Sequence, residues 1–522
     1  MPTLWGNPRD SDQSDRRSED GGSTNERTRL LGNHREATPA LLTPDDPAVS
    51  PYNLWTVRMF RHITVILTLI TAVWWIILLI STFITPPGFH MRGSGFFAFS
   101  NTTVALLVLI LDLAFFRTPS QSARILCACM ALALLVNTIL TLAVQMVRYE
   151  EGWVGVTSIS WVLLISLWVL AADRTVEWGK AEEEERLTGR PETRRSLGEW
   201  SKVLTSTVGL FALCLAVILM TLTLILRSLD AGVAPPGNLY WVDGGHYRMH
   251  VYCSPNVPDS PGRDRQLPTV LFEGGEYAVE HGLADLAHNA VRNGSISRYC
   301  YVDRPGYAWS DTAPSPLSAG MEAVIMSEAL AQAGERGPWV VASAGVGSYY
   351  SRIFASQHGA EVKGLLLIDP LHDVDLDRLG SPKRGILLWL WGIISPLGLD
   401  TLPGAIFRGR KSADRIWGVS SKHNPRHIFA RLQESLVASS LTKREVLSSR
   451  NIMKNDTALT VITSGLEVRR HVAWEGKQRD LTKLTSNLKH WDVVDDAPHE
   501  VWRTFEGREM IEKRLSSLVR GR

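Results

Sequence analysis

The sequence predicts a membrane protein in two parts: a bundle of about five transmembrane helices, followed by an α/β domain with a mostly parallel sheet. Long uncharged apolar runs fill residues 63–226, and each is near the ~20 residues that cross ~30 Å of hydrocarbon. After residue 239, short β-rich runs alternate with helical stretches, which is typical of βαβ units. The net charge of +2 over 522 residues gives no reason to expect a nucleic-acid partner.

Residues 1–57 form a predicted disordered cytosolic tail. The tail is rich in Asp, Glu, Arg, Ser, Gly and Pro, so it cannot bury enough apolar surface to order itself. It lacks the apolar stretch of a signal peptide, and its early acidic residues are atypical of a mitochondrial presequence. Within it, Glu26, Leu30 and Leu31 match an acidic dileucine sorting signal for endosomal or vacuolar membranes, although a chance match is an equal alternative.

The predicted transmembrane bundle covers residues 58–228. Lys and Arg are concentrated in connections that all fall on one side of the membrane if there are five crossings. The positive-inside rule therefore puts the N-terminus in the cytosol and the second half of the chain in a lumen or outside the cell. No inverted repeat indicates a transporter, so we expect the bundle to be an anchor. The five runs are residues 63–85, 97–116, 125–147, 156–172 and 204–226.

Four segments of the second half resemble the α/β-hydrolase superfamily. Residues 303–311 (DRPGYAWSD) resemble the turn after its fourth strand, and residues 272–275 (FEGG) resemble its oxyanion loop. Residues 366–370 (LLIDP) resemble the end of the sixth strand, and residues 496–499 (DAPH) resemble the segment with the catalytic histidine. This resemblance over residues 239–522 implies an eight-stranded sheet with a helical lid. A multi-pass region before such a domain also resembles uncharacterised fungal integral membrane proteins.

The chain departs from this family at the nucleophile. Family members carry a serine in the pattern small-x-Ser-x-Gly, on a sharp turn between strand and helix. Residues 338–355 align with the family pattern without a gap, and this puts Gly345 at the nucleophile position. Glycine has no side chain that can attack a substrate, but it adopts φ > 0 without steric cost. Ser343 remains an alternative if the nucleophile is shifted, and Ser348 is a second alternative.

The resemblance also suggests the other site residues. His499 takes the histidine position, and the acid is best placed at Glu467 after the seventh strand, with Asp369 after the sixth as the alternative. Backbone N–H groups near Gly275 and of Val346 would form an oxyanion hole, or a more general anion or carbonyl site. If the nucleophile is missing, His499 and its acid also have a purely structural interpretation.

The lid is expected at about residues 373–455. Its apolar stretch, residues 386–394, is too short to span a bilayer. The stretch could roof an apolar pocket, touch the membrane surface or pack against the core. The first two alternatives would suit a lipid-like or apolar small-molecule ligand.

Two further pairs of residues agree with a lumenal second half. Asn293 and Asn455 begin glycosylation sequons. Cys253 and Cys300 fall on strands that are neighbours in the family fold, so a disulfide is possible in an oxidising compartment. The five cysteines show no metal-ligand spacing, and we expect neither a metal nor a cofactor.

Three functional hypotheses follow from the sequence. The first is a lumen-facing α/β-hydrolase-like domain that lacks its serine nucleophile, a pseudoenzyme that binds or regulates. The second is an active membrane-anchored esterase or lipase with a shifted serine, and the third is a membrane scaffold or sorting protein. The predicted location is a vacuolar or endosomal membrane, with a mitochondrial membrane as an open alternative.

Overall fold

Five long helices make up the first half of the structure, a computed structural model that describes residues 50–189, 196–255 and 267–521. All five are long and apolar enough to cross a membrane, and the bent pair Pro382–Leu397 and Thr401–Phe407 would add a sixth candidate if it counts as one span. The predicted tail up to residue 49 lies outside the described residues. The helices are α1 (Trp55–Phe83), α2 (Phe96–Phe115), α3 (Gln121–Ala143), α4 (Gln145–Thr188) and α5 (Leu197–Asp230).

The helix α4 is much longer than its predicted apolar run of residues 156–172. It continues past the run because the following segment is rich in Glu, Lys and Arg, which are good helix formers. Its first turns are bent at Gly152, which has φ 60°. The bend directly follows Glu150 and Glu151, which both pair with Arg227 of α5, and Glu150 also pairs with Arg426 in the second half of the chain.

The second half contains a mixed eight-stranded sheet with the order β1-β2-β4-β3-β5-β6-β7-β8. Strand β2 pairs antiparallel with β1 and β4, and the remaining neighbours are parallel. This order and the antiparallel second strand are those of the α/β-hydrolase fold, so the predicted fold class is confirmed. The strands are β1 (Asn238–Val242), β2 (Tyr247–Cys253), β3 (Thr269–Glu273), β4 (Tyr299–Val302), β5 (Trp339–Ala344), β6 (Val362–Ile368), β7 (Ala458–Ser464) and β8 (Leu488–Val494).

Helices cover both faces of this sheet, which explains why its central strands are continuous apolar runs. Alternate residues of β5 enter opposite layers: Val341 packs with α7 and α8, whereas Val340 and Ala342 pack with α6 and α17. The flanking helices are α6 (Leu283–Arg292), α7 (Ala319–Gln332), α8 (Gly347–Gln357), α15 (Gly465–Arg470), α16 (Val472–Leu481) and α17 (Phe505–Arg520).

Six helices are inserted between β6 and β7, where the lid was expected. The apolar stretch of residues 386–394 lies in the second of them and packs against α2 of the bundle. A Cβ at Gly392 would lie 2.1 Å from the ring of Phe96, and Ser100 Oγ donates to the Ile393 carbonyl at 3.1 Å. The inserted helices are α9 (Asp375–Leu379), α10 (Pro382–Ile394), α11 (Thr401–Phe407), α12 (Ser412–Ile416), α13 (Pro425–Val437) and α14 (Lys443–Ile452).

A charged cluster joins the bundle to the inserted helices. Glu150 of α4 accepts from Arg227 Nη2 of α5 at 2.7 Å and from Arg426 Nη1 of α13 at 2.9 Å. Glu151 accepts from Arg227 Nη1 at 2.8 Å. All four side chains are largely buried, with exposed fractions between 3% and 19%. The first half of the chain is therefore docked onto the hydrolase-like domain through paired charges as well as apolar packing.

Candidate functional site

The strand-to-helix turn that carries the nucleophile in α/β-hydrolases is intact in shape. Strand β5 ends at Ala344, helix α8 begins at Gly347, and Gly345 sits between them with φ +47°. Its backbone N–H donates to the Ile368 carbonyl at 3.1 Å. The backbone therefore keeps the strained conformation of a nucleophile turn, while the residue at its apex has no side chain.

An acid and a histidine meet beside this turn. His499 Nδ1 lies 2.6 Å from Asp369 Oδ2, just past the end of β6. The other carboxylate oxygen, Asp369 Oδ1, accepts from the backbone N–H of Ser464 at 3.0 Å and from Trp474 Nε1 at 2.9 Å. Asp369 is fully buried. These three bonds fix the carboxylate so that it orients the imidazole ring.

Glu467, the residue that the sequence favoured as the acid, lies away from the ring. Its side chain pairs instead with Arg470 at 3.2 Å and with His471 at 3.6 Å, and its backbone N–H is bonded to Ser464 Oγ. The structure thus puts the alternative residue, Asp369, beside His499. Glu467 belongs to the short helix α15, where Arg470 and His471 engage its carboxylate.

A second carboxylate, which the sequence analysis missed, approaches the histidine from the opposite side. Glu276 Oε2 lies 3.3 Å from His499 Nε2. A Cβ built on Gly345 would lie 2.8 Å and 2.9 Å from the two Glu276 oxygens and 2.9 Å from His499 Nε2. The Glu276 carboxylate thus borders the space that a serine side chain would enter. Its position directly after Gly275 in the oxyanion loop was the signal that could have revealed it.

The two carboxylates hold a proton on the histidine. Burial acts to lower the pKa of His499, but its hydrogen bonds to Asp369 and Glu276 and their charges raise it well above the usual range. Burial likewise acts to raise the pKa of the Glu276 carboxyl, but the hydrogen bond and charge of His499 outweigh it and lower that pKa to about 2. An imidazolium bound at both nitrogens cannot accept a proton from a nucleophile.

The two serines proposed as shifted nucleophiles bond to other groups. The Oγ atoms of Ser343 and Ser351 lie 2.7 Å apart, and both residues are fully buried. Ser348 Oγ donates to the Gly345 carbonyl at 2.8 Å. Each hydroxyl therefore takes part in local structure at the start of α8.

The predicted oxyanion loop packs directly against the turn. A Cβ on Gly347 would lie 2.1 Å from the Gly274 carbonyl oxygen, and a Cβ on Gly275 would lie 3.3 Å from the Ala344 carbonyl oxygen. This brings Gly275 and the start of α8, including Val346, to the same place. The loop is held from behind by buried Arg304, which bonds the Gly275 carbonyl and whose guanidinium lies over the Tyr307 ring at 4.2 Å.

One buried cluster has the residue types of a metal site. Ligand atoms of His250, Glu280 and Asp303 lie within 4.8 Å of one another. However, the Gly237 N–H donates to His250 Nε2 at 3.1 Å, so the proton of the neutral ring is on Nδ1, which bonds Asp303 at 2.8 Å. Burial raises the pKa of Asp303 to about 7. Both nitrogens of His250 are therefore used in hydrogen bonds to Gly237 and Asp303, and we assign no metal to the cluster.

The remaining predicted residues lie far from the turn in sequence or on the surface. Cys253 and Cys300 are cross-strand partners on β2 and β4 and form a disulfide. Asn455 is exposed, and the Asn293 amide, also on the surface, donates to Glu512 at 3.0 Å. The sorting signal of Glu26, Leu30 and Leu31 lies outside the described residues.

Comparison with known proteins gives related sequences and a family profile. An uncharacterized protein of Schizosaccharomyces pombe is 30% identical over 94% of this chain and 96% of its own length. An uncharacterized vacuolar membrane protein of Saccharomyces cerevisiae is 24% identical over 63% of this chain and 59% of its own length. The profile of a family described as a region of unknown function (DUF2417) matches residues 26–253.

Two similar solved structures each cover about half of this chain. The enol-lactonase of Burkholderia xenovorans LB400 is 14% identical, with a TM-score of 0.38 over 54% of this chain and all of its own. The α/β hydrolase MGS-M2, from a deep-sea metagenome library, is 11% identical, with a TM-score of 0.38 over 55% of this chain and 98% of its own. At these scores the fold assignment rests on the strand order and the turn of this chain itself.

Proposed function

The chain belongs to a family of fungal proteins that includes the uncharacterized Schizosaccharomyces pombe relative. We propose that its α/β-hydrolase-like domain is a binding or regulatory module without serine hydrolase activity. The observation that supports this proposal is the pairing of Gly345 with Glu276. The apex carries no nucleophile, and a carboxylate borders the space that a nucleophile would need. The histidine that would act as the base holds its proton between Glu276 and Asp369.

The site is not sealed, and this favours a binding role over a purely structural one. The side chains of Glu276 and His499 are 36% and 27% exposed. A polar ligand could therefore reach the His499 ring and the Glu276 carboxylate, whereas an anion would be repelled by the carboxylates on both sides of the ring. The scaffold hypothesis remains compatible with this proposal, because the bundle is packed against the same domain.

A fluorophosphonate probe tests the proposal, because it reacts with activated serines. We expect the detergent-solubilised, folded wild-type chain to remain unlabelled while an active serine hydrolase in the same preparation is labelled. Ser343→Ala and His499→Ala are the matched variants. Labelling of the wild type that disappears in both variants would mean a working, shifted nucleophile and would overturn the proposal.

We further propose that the protein resides in a vacuolar or endosomal membrane with its N-terminus in the cytosol and its hydrolase-like domain in the lumen. The vacuolar membrane relative supports the location. The distribution of Lys and Arg supports the orientation. A lumenal domain would also be in an environment where the Cys253–Cys300 disulfide persists.

Glycosylation tests the orientation. When the chain is expressed in a fungal host, we expect an endoglycosidase to increase its mobility on a gel. Asn455→Gln should remove most of that shift, because Asn455 is exposed whereas the Asn293 amide is bonded to Glu512. Asn451→Gln is the matched control, since this nearby exposed asparagine is outside any sequon. Absence of a shift, together with glycosylation of a sequon introduced into the N-terminal tail, would show the opposite orientation, with the tail in the lumen and the hydrolase-like domain in the cytosol.

A further inference from the structure

A groove of about 850 Å³ lies where the bundle meets the hydrolase-like domain. The junction of α3 and α4, the last turn of α5 and the start of β2 form its walls. The lining combines apolar side chains from the helix ends with arginines and aromatic rings. The residues that matter for its chemistry are Leu142, Val144, Val156, Trp153, Tyr149, Arg92, Arg148 and Arg248.

Two of the three arginines form no ion pair with a carboxylate in the described part of the chain. Arg248 is paired with Asp311 at 3.1 Å. Arg92 donates to the His246 carbonyl at 3.0 Å and its guanidinium lies 4.5 Å from the centre of the Tyr149 ring. Arg148 is exposed, and its guanidinium donates to the Leu142 carbonyl at 3.3 Å. Among the residues that the structure describes, neither Arg92 nor Arg148 forms an ion pair with a carboxylate, so the groove favours an anion.

The groove opens at the level of a bilayer surface. Helices α3 and α4 are both candidate membrane spans, and the groove lies at their shared end. Leu142 is 45% exposed and Trp153 is 54% exposed, although both are large and apolar. Exposed tryptophan at the end of a span is typical of the interface between headgroups and acyl chains. A soluble anion would leave the apolar wall of the groove exposed to water, whereas the acyl chains of a lipid would cover it.

We propose that this groove binds the headgroup of an anionic phospholipid. Arg92 and Arg148 hold the phosphate, and the acyl chains run along the apolar wall of Leu142, Val144 and Val156. Charge complementarity and the position of the groove at the helix ends carry this assignment. The site is separate from the turn at Gly345, so it does not depend on whether the domain has hydrolase activity.

Native mass spectrometry of the full chain in detergent, titrated with phosphatidylserine or phosphatidylcholine, tests this site. We expect the wild type to retain phosphatidylserine more tightly than phosphatidylcholine. Arg92→Gln/Arg148→Gln should weaken phosphatidylserine binding about thirtyfold, at about fivefold for each lost ion pair between an arginine and the phosphate. Phosphatidylcholine binding should weaken less, because its choline cation offsets the charge of the phosphate that the arginines contact.

Three further variants are compared with the wild type to test the proposal. Arg148→Gln alone changes an exposed side chain, so it should fold even if the double variant does not, and should show the fivefold loss. Arg148→Lys should retain most of the affinity. Arg336→Gln/Arg444→Gln removes two exposed charges elsewhere and should match the wild type. Equal phosphatidylserine binding by the Arg148→Gln variant and the wild type, or displacement of the lipid by inorganic phosphate alone, would overturn the assignment.

Discussion

The double variant Gly345→Ser/Glu276→Gly is expected to react with a fluorophosphonate that leaves the wild-type chain unlabelled. The turn already has the φ of +47° that the family uses at its nucleophile, and Asp369 already holds the His499 ring at 2.6 Å. Removal of the Glu276 side chain deprives His499 Nε2 of its second carboxylate. That nitrogen can then accept the proton of the introduced serine, as in a Ser-His-Asp triad.

The single variant Gly345→Ser should fail to label, and this separates the two effects. Its Cβ would lie within 3 Å of both Glu276 oxygens and of His499 Nε2, so these groups become overpacked. Overpacking of this kind typically costs about 1–3 kcal/mol, and the positive φ adds strain for a residue with a side chain. We therefore expect a less stable chain, measured by its thermal unfolding, in which the proton on the histidine is still held.

Matched variants identify the source of any labelling. Gly345→Ala/Glu276→Gly has the same relief at Glu276 without a hydroxyl, and it should remain unlabelled. Addition of His499→Ala to the double variant should slow labelling by roughly 10²–10⁴-fold, the usual contribution of a general base. Labelling that survives the loss of His499 would indicate an adventitious serine and would contradict the interpretation of the site.

The turn at Gly345 could be predicted because its signal is local. Strand β5, the apex and helix α8 are contiguous, so spacing alone determines which residue is at the apex. The strand order was accessible for a related reason, since the four quoted motifs each lie at the end of a strand or just after it. Local spacing is preserved when the surrounding sequence diverges.

The choice of acid and the role of Glu276 depend on contacts that are distant in sequence. Glu467 and Asp369 both follow a strand of the parallel sheet, and spacing cannot tell which carboxylate faces the ring. Asp369 is selected by Ser464 and Trp474, which lie about a hundred residues later in the chain. Glu276 comes close to His499 only because the loop after β3 packs on the turn. The docking of the bundle likewise joins Glu150 to Arg426 across 276 residues.

Glu150→Ala is expected to be among the most destabilising single changes in the chain. It leaves Arg426 without a carboxylate and Arg227 with only Glu151, in an interface where the Glu150 and Arg426 side chains are 11% and 12% exposed. Loss of one partner of a buried ion pair typically costs about 3–5 kcal/mol, because the remaining charge stays desolvated. The loss should be seen as a lower unfolding temperature of the full chain in detergent.

Hydrogen exchange, measured segment by segment, distinguishes loss of the interface from unfolding of the whole chain. Because Arg426 belongs to α13, hydrogen exchange should increase first in Pro425–Val437 and in the bent segment near Gly152, with the strands β5 and β6 still protected. Glu475→Ala, which breaks an exposed ion pair with Arg479, is the matched control and should cost no more than about 1 kcal/mol. If both variants unfold alike, the cluster contributes little to docking. If Glu150→Ala instead increases exchange selectively in α13, then the bundle stabilises this inserted helix. Glu434 of the same helix lies 3.3 Å from Arg304, which bonds the oxyanion loop. A change in the membrane part can then affect the candidate site through α13.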